Sequence, residues 1–478
     1  MKPQLKPFLA GLEGQDIHVV GLGSTECTAF LQVLPNRVKE RVTIHDFSPT
    51  DEDLKKSFMT THVALNRTQR ESLWNQLIAD YPQRRLRTEY LKGVDTADLL
   101  FVPQSWDLYA PNKALGPWIE EHPGKVLTLM DLYLRHLPCR VVGVSGTNGK
   151  TTVSSMIATL ADHVGLKVVV SGNHRYHAQL LPDMDTVDPN AVAVLEISHK
   201  HLARIQQGPD ISVLTNVSGD HLDQFDSFDA YAARKRRLVE TQPSGSVAIV
   251  NGEDPQCRLA VQGHEGTLYA MGKGLPEARY TGEISTKYLF TREAQDSTFK
   301  GLRESLSVPG VHNAANMWMA MAALHALGIP WEQSFQGASA FRGVKHRLEY
   351  LRALEGVAIY DDTAATSPSA TLAAIEAIES KHGQMVLVVG GEGKGNDYES
   401  LSRYLKTSNI TVLGLGGDVA KTLAAQPCVS LREAIQMGLK ECSSGAAILI
   451  SPAGAGFHTA HSEGSEPGLR QMVRRWGR

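Results

Sequence analysis

The stretch SGTNGKTT, Ser145–Thr152, carries the clearest chemistry in the chain. Gly146 and Gly149 let backbone N–H groups come close to a phosphate. Lys150 is placed to neutralise β/γ-phosphates, and Thr151 to bind Mg²⁺ through its hydroxyl. Thr147, Asn148 and Thr152 complete the loop and the first helical turn. A strand-like run, RVVGVSG, precedes it and a helix-like pattern follows, which is the context such a loop requires. A strict phosphate-loop pattern wants glycine at position 144; Val144 stands there, and the glycine falls at Gly143. The chemistry is nucleotide phosphate binding and transfer.

Other polar residues stand at the ends of apolar runs. Glu196 closes VLEIS, where a carboxylate suits Mg²⁺. NVSGDHLDQF (216–225) puts Asp220 and His221 past another run, where an aspartate also serves as a helix N-cap. Asn173 follows in GNH, and Asn313 and Asn316 share a helix face in GVHNAANMWMA. By charge alone, YAARKRRLVE (231–240) is a solvated basic helix face; Arg234, Arg236 and Arg237 read as surface or phosphate-edge charges. FRGVKHRLEYL carries Arg347, a cation suited to charge developing on a transferred phosphoryl group. GLGSTE (21–26) ends in Glu26 where a dinucleotide fingerprint needs glycine, which argues against a nicotinamide site.

The elements that position these residues come in three blocks of apolar runs alternating with helical patterns. The first has IHVVGLG, RVTIHDF, ADLLFVP and KVLTLMDLYL (125–134); the second begins at RVVGVSG; the third begins at VAIYDD (357–362). Nearly all-apolar strands between helices predict parallel sheets covered on both faces. Ligands gather beyond the carboxyl ends of such strands, where the motifs lie. The fold class is α/β with three domains: a Rossmann-like domain over 1–137, a central P-loop ATPase-like parallel sheet over 138–340, and a second Rossmann-like domain over 341–478. A length of 478 residues suits about three domains. A net charge of -3 gives no basic excess for nucleic acid, and no apolar run approaches the ~20 residues that span a bilayer. The five cysteines are scattered without CxxC spacing, and the N-terminus lacks a signal core. Both predict a cytoplasmic protein without disulfides or zinc.

The wording GTNGKTT resembles the Mur ligase family, enzymes that join an amino acid to a carboxylate with ATP. That resemblance implies ATP and two Mg²⁺ ions. It makes Thr151, Glu196, His221 and Lys235 the metal-site residues, with Lys235, four after Tyr231, carbamylated. It makes Lys150, His221, Lys235 and Arg347 the catalytic set. It places Gly146, Thr147, Asn148, Gly149, Lys150, Thr151, Thr152, Asn173, Asn313, Asn316, Arg347 and Asp362 around ATP, with Asn316 on the adenine side.

Within the family, GLGSTE and GGEGKGNDY (390–398) resemble the glutamate-adding MurD enzymes. The resemblance implies UDP-N-acetylmuramoyl-L-alanine and glutamate as substrates, no nucleic acid or membrane partner, and a monomer. Ser24, Thr25 and Asp46 would hold the UDP-sugar; Thr366, Lys394, Gly456 and Phe457 would face glutamate. Three features depart from the pattern: VPQSWD replaces the next substrate loop, Ala364 replaces a lysine, and Gly456 replaces a serine that contacts glutamate. The altered pocket tips the expectation slightly from D- to L-glutamate. A folylpolyglutamate synthase-like ligase shares the central loop, and a non-catalytic nucleotide-binding regulator would share the scaffold. GLGSTE and GGEGKGND disfavour the first; the intact Lys150, Glu196, His221 and Lys235 disfavour the second.

Overall fold

The computed structural model describes residues 4–62, 64–172, 179–219, 224–293, 296–393, 395–457 and 469–476. Three sheets follow one another along the chain. The first is wholly parallel, in the order β3-β2-β1-β4-β5: β1 Ile17–Val20, β2 Val42–His45, β3 Arg84–Arg85, β4 Leu99–Phe101 and β5 Val126–Leu127.

The second sheet has nine strands: β6 Arg140–Ser145, β7 Val168–Gly172, β8 Val192–Glu196, β9 Ile211–Leu214, β10 Val247–Asn251, β11 Thr267–Met271, β12 Tyr280–Ile284, β13 Tyr288–Glu293 and β14 Asp296–Leu302. Its order is β14-β13-β12-β11-β10-β9-β6-β8-β7, so β6 lies between β8 and β9. That neighbourhood brings the ends of β6, β8 and β9 together. The third sheet runs β15-β16-β20-β17-β18-β19: β15 Glu349–Leu354, β16 Val357–Asp361, β17 Met385–Val389, β18 Thr411–Gly414, β19 Gln426–Pro427 and β20 Ala447–Ile450.

Central strands are buried throughout, as in β8 and β17. Their near-continuous apolar sequence follows from cover on both faces. The helix Val311–Ala326 packs on the phosphate-loop helix Lys150–His163. Trp318 and Met321 are fully buried there.

Three departures from the sequence pattern have physical reasons. KVLTLMDLYL is strand only at Val126–Leu127 and then becomes the helix Leu129–His136. Thr128 caps that helix, its hydroxyl accepting from Asp131 N at 3.3 Å. All its residues except Arg135 are buried, and its polar Asp131 and Arg135 stand four apart on one face, a helical spacing that the apolar run around them masks. β12–β13–β14 is an antiparallel meander at the sheet edge, with alternating rather than continuous burial in β13. β15 forms an antiparallel hairpin with β16, its residues mostly outside the core. Among the described residues no helix is long and apolar enough to cross a membrane.

Candidate functional site

The loop after β6 is held by the strand-end residues of β9. Thr147 N donates to Asn216 O at 2.8 Å, Asn148 N to Asn216 Oδ1 at 3.0 Å, and Asn216 Nδ2 to Asn148 O at 3.1 Å. Gly146 has φ 142°, and a Cβ there would lie 2.0 Å from Thr215 Oγ1. Thr215 is fixed by donating to Ser145 O at 3.2 Å, so it cannot yield. Gly146→Ala is therefore expected to lower stability by about 1–3 kcal/mol through overpacking. It should also abolish the thermal shift that ATP produces, which differential scanning reads.

Lys150 opens its helix and curls over the loop, donating to Gly146 O at 2.9 Å and Thr147 O at 2.8 Å. Thr151 Oγ1 donates to Glu196 Oε2 at 2.7 Å. Glu196 is buried at the end of β8, beside β6. Hydroxyl and carboxylate oxygens are the hard donors Mg²⁺ takes, so this pair fits such an ion. Arg347 comes from the third domain, and its Nη2 donates to Thr151 Oγ1 at 3.2 Å. Residues nearly two hundred positions apart thus meet at one hydroxyl.

Lys235 is 1% exposed, and its Nζ donates to Gly146 O at 2.8 Å. It lies 5.6 Å from the Tyr231 ring centroid, and the Tyr231 hydroxyl shares a 3.0 Å hydrogen bond with Thr147 Oγ1. The basic helix Phe228–Glu240 is therefore not a uniformly solvated face: it turns Tyr231 and Lys235 onto the loop. Arg237 is neither a surface nor a phosphate-edge charge, since its guanidinium donates to Leu202 O at 2.9 Å and Ile205 O at 2.7 Å. Tyr231 and Asn216 are the site residues that sequence reasoning did not select. The tyrosine's spacing to Lys235 and the asparagine's position after β9 were the available signals.

A cleft of about 330 Å³ opens beside the loop, lined by Asn148, Gly149, Thr152, Asn313, Asn316 and Arg347 among others. Asn316 stands so close to Gly149 that a Cβ there would sit 3.0 Å from its Oδ1. Asn313 Nδ2 donates to Pro309 O at 2.6 Å, steadying the start of the helix. His312 also lines the cleft; burial pushes its imidazole down to about 4, so it is neutral at physiological pH.

Asp362 lines the far wall, where Leu348 N donates to its Oδ1 at 2.9 Å and Ser451 Oγ to its Oδ2 at 2.7 Å. Burial pushes its carboxyl up to about 7, more than the Ser451 and Leu348 hydrogen bonds and the Arg347 charge pull it down. The folded chain then holds a proton that the unfolded chain releases near pH 4. Stability is full below that pH, falls as pH rises, and levels off above about 7. Asp362→Asn is expected to remove this loss. Relative to wild type it should gain about 3 kcal/mol between pH 5 and pH 8. Urea unfolding midpoints at the two pH values measure it.

A second cleft, of about 500 Å³, lies between the first and second sheets, with Ser24, Thr25, Asp46, Tyr109, Gly172 and Gln179 in its wall. Ser24 caps the helix Thr25–Val33, its hydroxyl accepting from Glu26 N at 3.2 Å. Asp46 Oδ1 accepts from both Ser48 N and Ser48 Oγ.

In the third domain Thr366 is exposed and Gly456 has φ 76°. Phe457 is 3% exposed and belongs to a buried apolar cluster with Leu415 and Ile450. The Gly456 turn carries it inward, against Gly390. Asn173, His221 and Lys394 lie outside the described residues.

A phosphate loop at the carboxyl ends of a parallel sheet, an arginine delivered from a third sheet, and a separate cleft against a first sheet define a three-domain nucleotide-dependent enzyme. The chain belongs to the Mur ligase family, the ATP-dependent ligases. Residues 144–324 match the Mur ligase middle domain, and residues 346–454 match the Mur ligase, glutamate ligase domain. The UDP-N-acetylmuramoylalanine–D-glutamate ligase of Pseudomonas putida is 32% identical over 392 residues, spanning 78% of this chain and 83% of the relative. The ligase of that name from Desulfitobacterium hafniense is 30% identical over 351 residues, spanning 70% and 76%. Among solved structures, MurF from Thermotoga maritima in complex with ADP shares the fold with a TM-score of 0.57 at 17% identity, over 80% of this chain and 88% of that one. MurC from the same organism aligns over 97% and 99%, with a TM-score of 0.54 at 17% identity.

Proposed function

We propose that this chain is an ADP-forming ligase that joins glutamate to the alanine carboxylate of UDP-N-acetylmuramoyl-L-alanine, in peptidoglycan precursor synthesis. The observation that carries this reading is Arg347, reaching from the glutamate ligase domain to Thr151 of the phosphate loop. One site thereby combines the nucleotide and amino-acid domains.

In the first step a carboxylate oxygen attacks the γ-phosphorus of ATP. The bond to the β-phosphate oxygen breaks, giving an acyl phosphate and ADP. In the second step the neutral glutamate amine attacks the acyl carbon, forming the C–N bond. Inorganic phosphate leaves with its oxygen, and the amine proton passes to solvent. Thr151 and Glu196 would hold one Mg²⁺, and His221 and a carbamylated Lys235 a second; when bound, the ions supply neutralising charge to the phosphates. Lys150 and Arg347 bind and orient the γ-phosphoryl group, and domain contact excludes water. No separate general base is assigned.

The relatives are named for D-glutamate. A second reading, L-glutamate, is favoured by Ala364 and Gly456, which remove two polar side chains where the resemblance places the amino acid. Inverting a stereocentre while the amine stays near the acyl carbon must move a carboxylate, so changes confined to that pocket suit the L isomer. The purified protein, ATP, Mg²⁺ and UDP-N-acetylmuramoyl-L-alanine should release phosphate with one glutamate isomer, and more with L than with D. Release with D alone returns the chain to the specificity of its named relatives. No release with either isomer rejects the reading. Release only with a folate acceptor points to the folylpolyglutamate class, and ATP binding without turnover on any acceptor points to a regulator.

A further inference from the structure

Glu26 and the VPQSW loop depart from the expected pattern, and they meet. Glu26 sits in the first turn of the helix Thr25–Val33 and is 4% exposed. Gln104 N donates to Glu26 Oε2 at 2.9 Å. The Gln104 side chain reaches across to the second sheet, where Ser198 Oγ donates to its Oε1 at 2.9 Å. Ser198 N donates to His201 Nδ1 at 3.2 Å. An Nδ1 that accepts leaves the proton on Nε2, and Nε2 faces Glu26 Oε1 at 3.8 Å. His201 is 4% exposed, so the ring of contacts closes away from bulk water.

We propose that Glu26, Gln104, Ser198 and His201 form a latch between the first and second domains that positions the 500 Å³ cleft on the phosphate-loop sheet. Glu26 and Gln104 themselves line that cleft. Ser198 lies two residues past Glu196, and the intervening Ile197 carbonyl accepts from Ser145 Oγ at 2.7 Å. A shift of the latch is therefore passed to the strand ends at Ser145 and Glu196, and through Glu196 to Thr151. The pairing also explains how a carboxylate is tolerated where a helix N-terminus faces a cleft for an anionic diphosphate. His201 and the Gln104 backbone N–H face its carboxyl group and turn it toward the interface. These are positioning residues; they touch no reacting atom. The inference rests on the ligase reading for its kinetics, and not for its structural test.

The experiment uses the full chain and the variants Glu26→Ala, Glu26→Gln, His201→Ala and the double Glu26→Ala/His201→Ala. Glu26→Ala and His201→Ala are each expected to raise the KM for UDP-N-acetylmuramoyl-L-alanine about tenfold, with the KM for ATP within about twofold. The double variant should be no worse than the poorer single one, because both break the same ring. Glu26→Gln keeps an oxygen for the Gln104 amide and should stay within about threefold of wild type. An unchanged acceptor KM in Glu26→Ala, a parallel rise in the ATP KM, or multiplicative effects in the double variant would overturn the latch. If Glu26→Ala does not fold, His201→Ala and Gln104→Ala carry the same comparison. Hydrogen exchange over residues 102–106 and 197–202 gives a readout without turnover. Faster exchange in His201→Ala is expected, and unchanged exchange counts against the latch even if the wild-type chain proves inactive with these substrates.

Discussion

Arg347→Ala is expected to lower kcat by about 10³-fold while leaving the Kd for ATP within about threefold. The reason is where the arginine comes from. It stands just before β15, on the third domain, and its guanidinium donates to Thr151 Oγ1 at the end of the phosphate loop. The loop's own shape is kept by Asn216, Thr215 and Tyr231, all on the second domain. Ground-state nucleotide binding therefore survives the loss of the guanidinium, while charge building on the transferred phosphoryl group loses one of its two side-chain cations. Arg347→Lys keeps a charge but not the planar fork, and should recover less than about a tenth of the lost rate. Single-turnover ADP formation with equilibrium dialysis of ATP measures both quantities. A kcat within tenfold of wild type would reduce Arg347 to a domain-docking contact.

Lys235→Ala should lower kcat by about 10²–10³-fold. Formate or acetate in the buffer should then restore part of the rate. An ammonium enclosed this fully, its Nζ donating to the Gly146 carbonyl, is an unfavourable place for a permanent charge. A neutral amine there can take up CO₂ and present a carboxylate instead. Rescue by small carboxylates distinguishes that chemistry from a plain lysine–carbonyl contact, which a carboxylate would worsen. Full activity without rescue would reject the carbamate.

The phosphate loop was legible because its chemistry is contiguous: strand, glycines, lysine and helix follow in one stretch. Glu196 was legible because a lone carboxylate closing an all-apolar strand has few other uses. Arg347 could be suspected, but its partner could not, because no local pattern joins it to Thr151. Glu26 and Gln104 read only as departures from a motif; their meaning lies in Ser198 and His201, on a different sheet. At Phe457 the left-handed turn at Gly456 sets the direction of the ring, and composition does not report the direction of a turn. KVLTLMDLYL misled for another reason: its two-residue strand runs straight into a helix at Thr128, and the apolar residues of both read as one run.

The order of strands in the second sheet also has a bearing on how the chain is made. β6 ends in the phosphate loop, yet its neighbours β8 and β9 emerge later from the ribosome, and Asn316 and the helix that backs the loop later still. A nascent chain that stops short of Val311 has the loop with Thr215, Asn216 and Tyr231, but lacks Asn316 and the helix that backs the loop. Nucleotide can therefore act as a folding ligand only late in the synthesis of this domain, and truncations before that helix should neither bind ATP nor be protected by it from proteolysis.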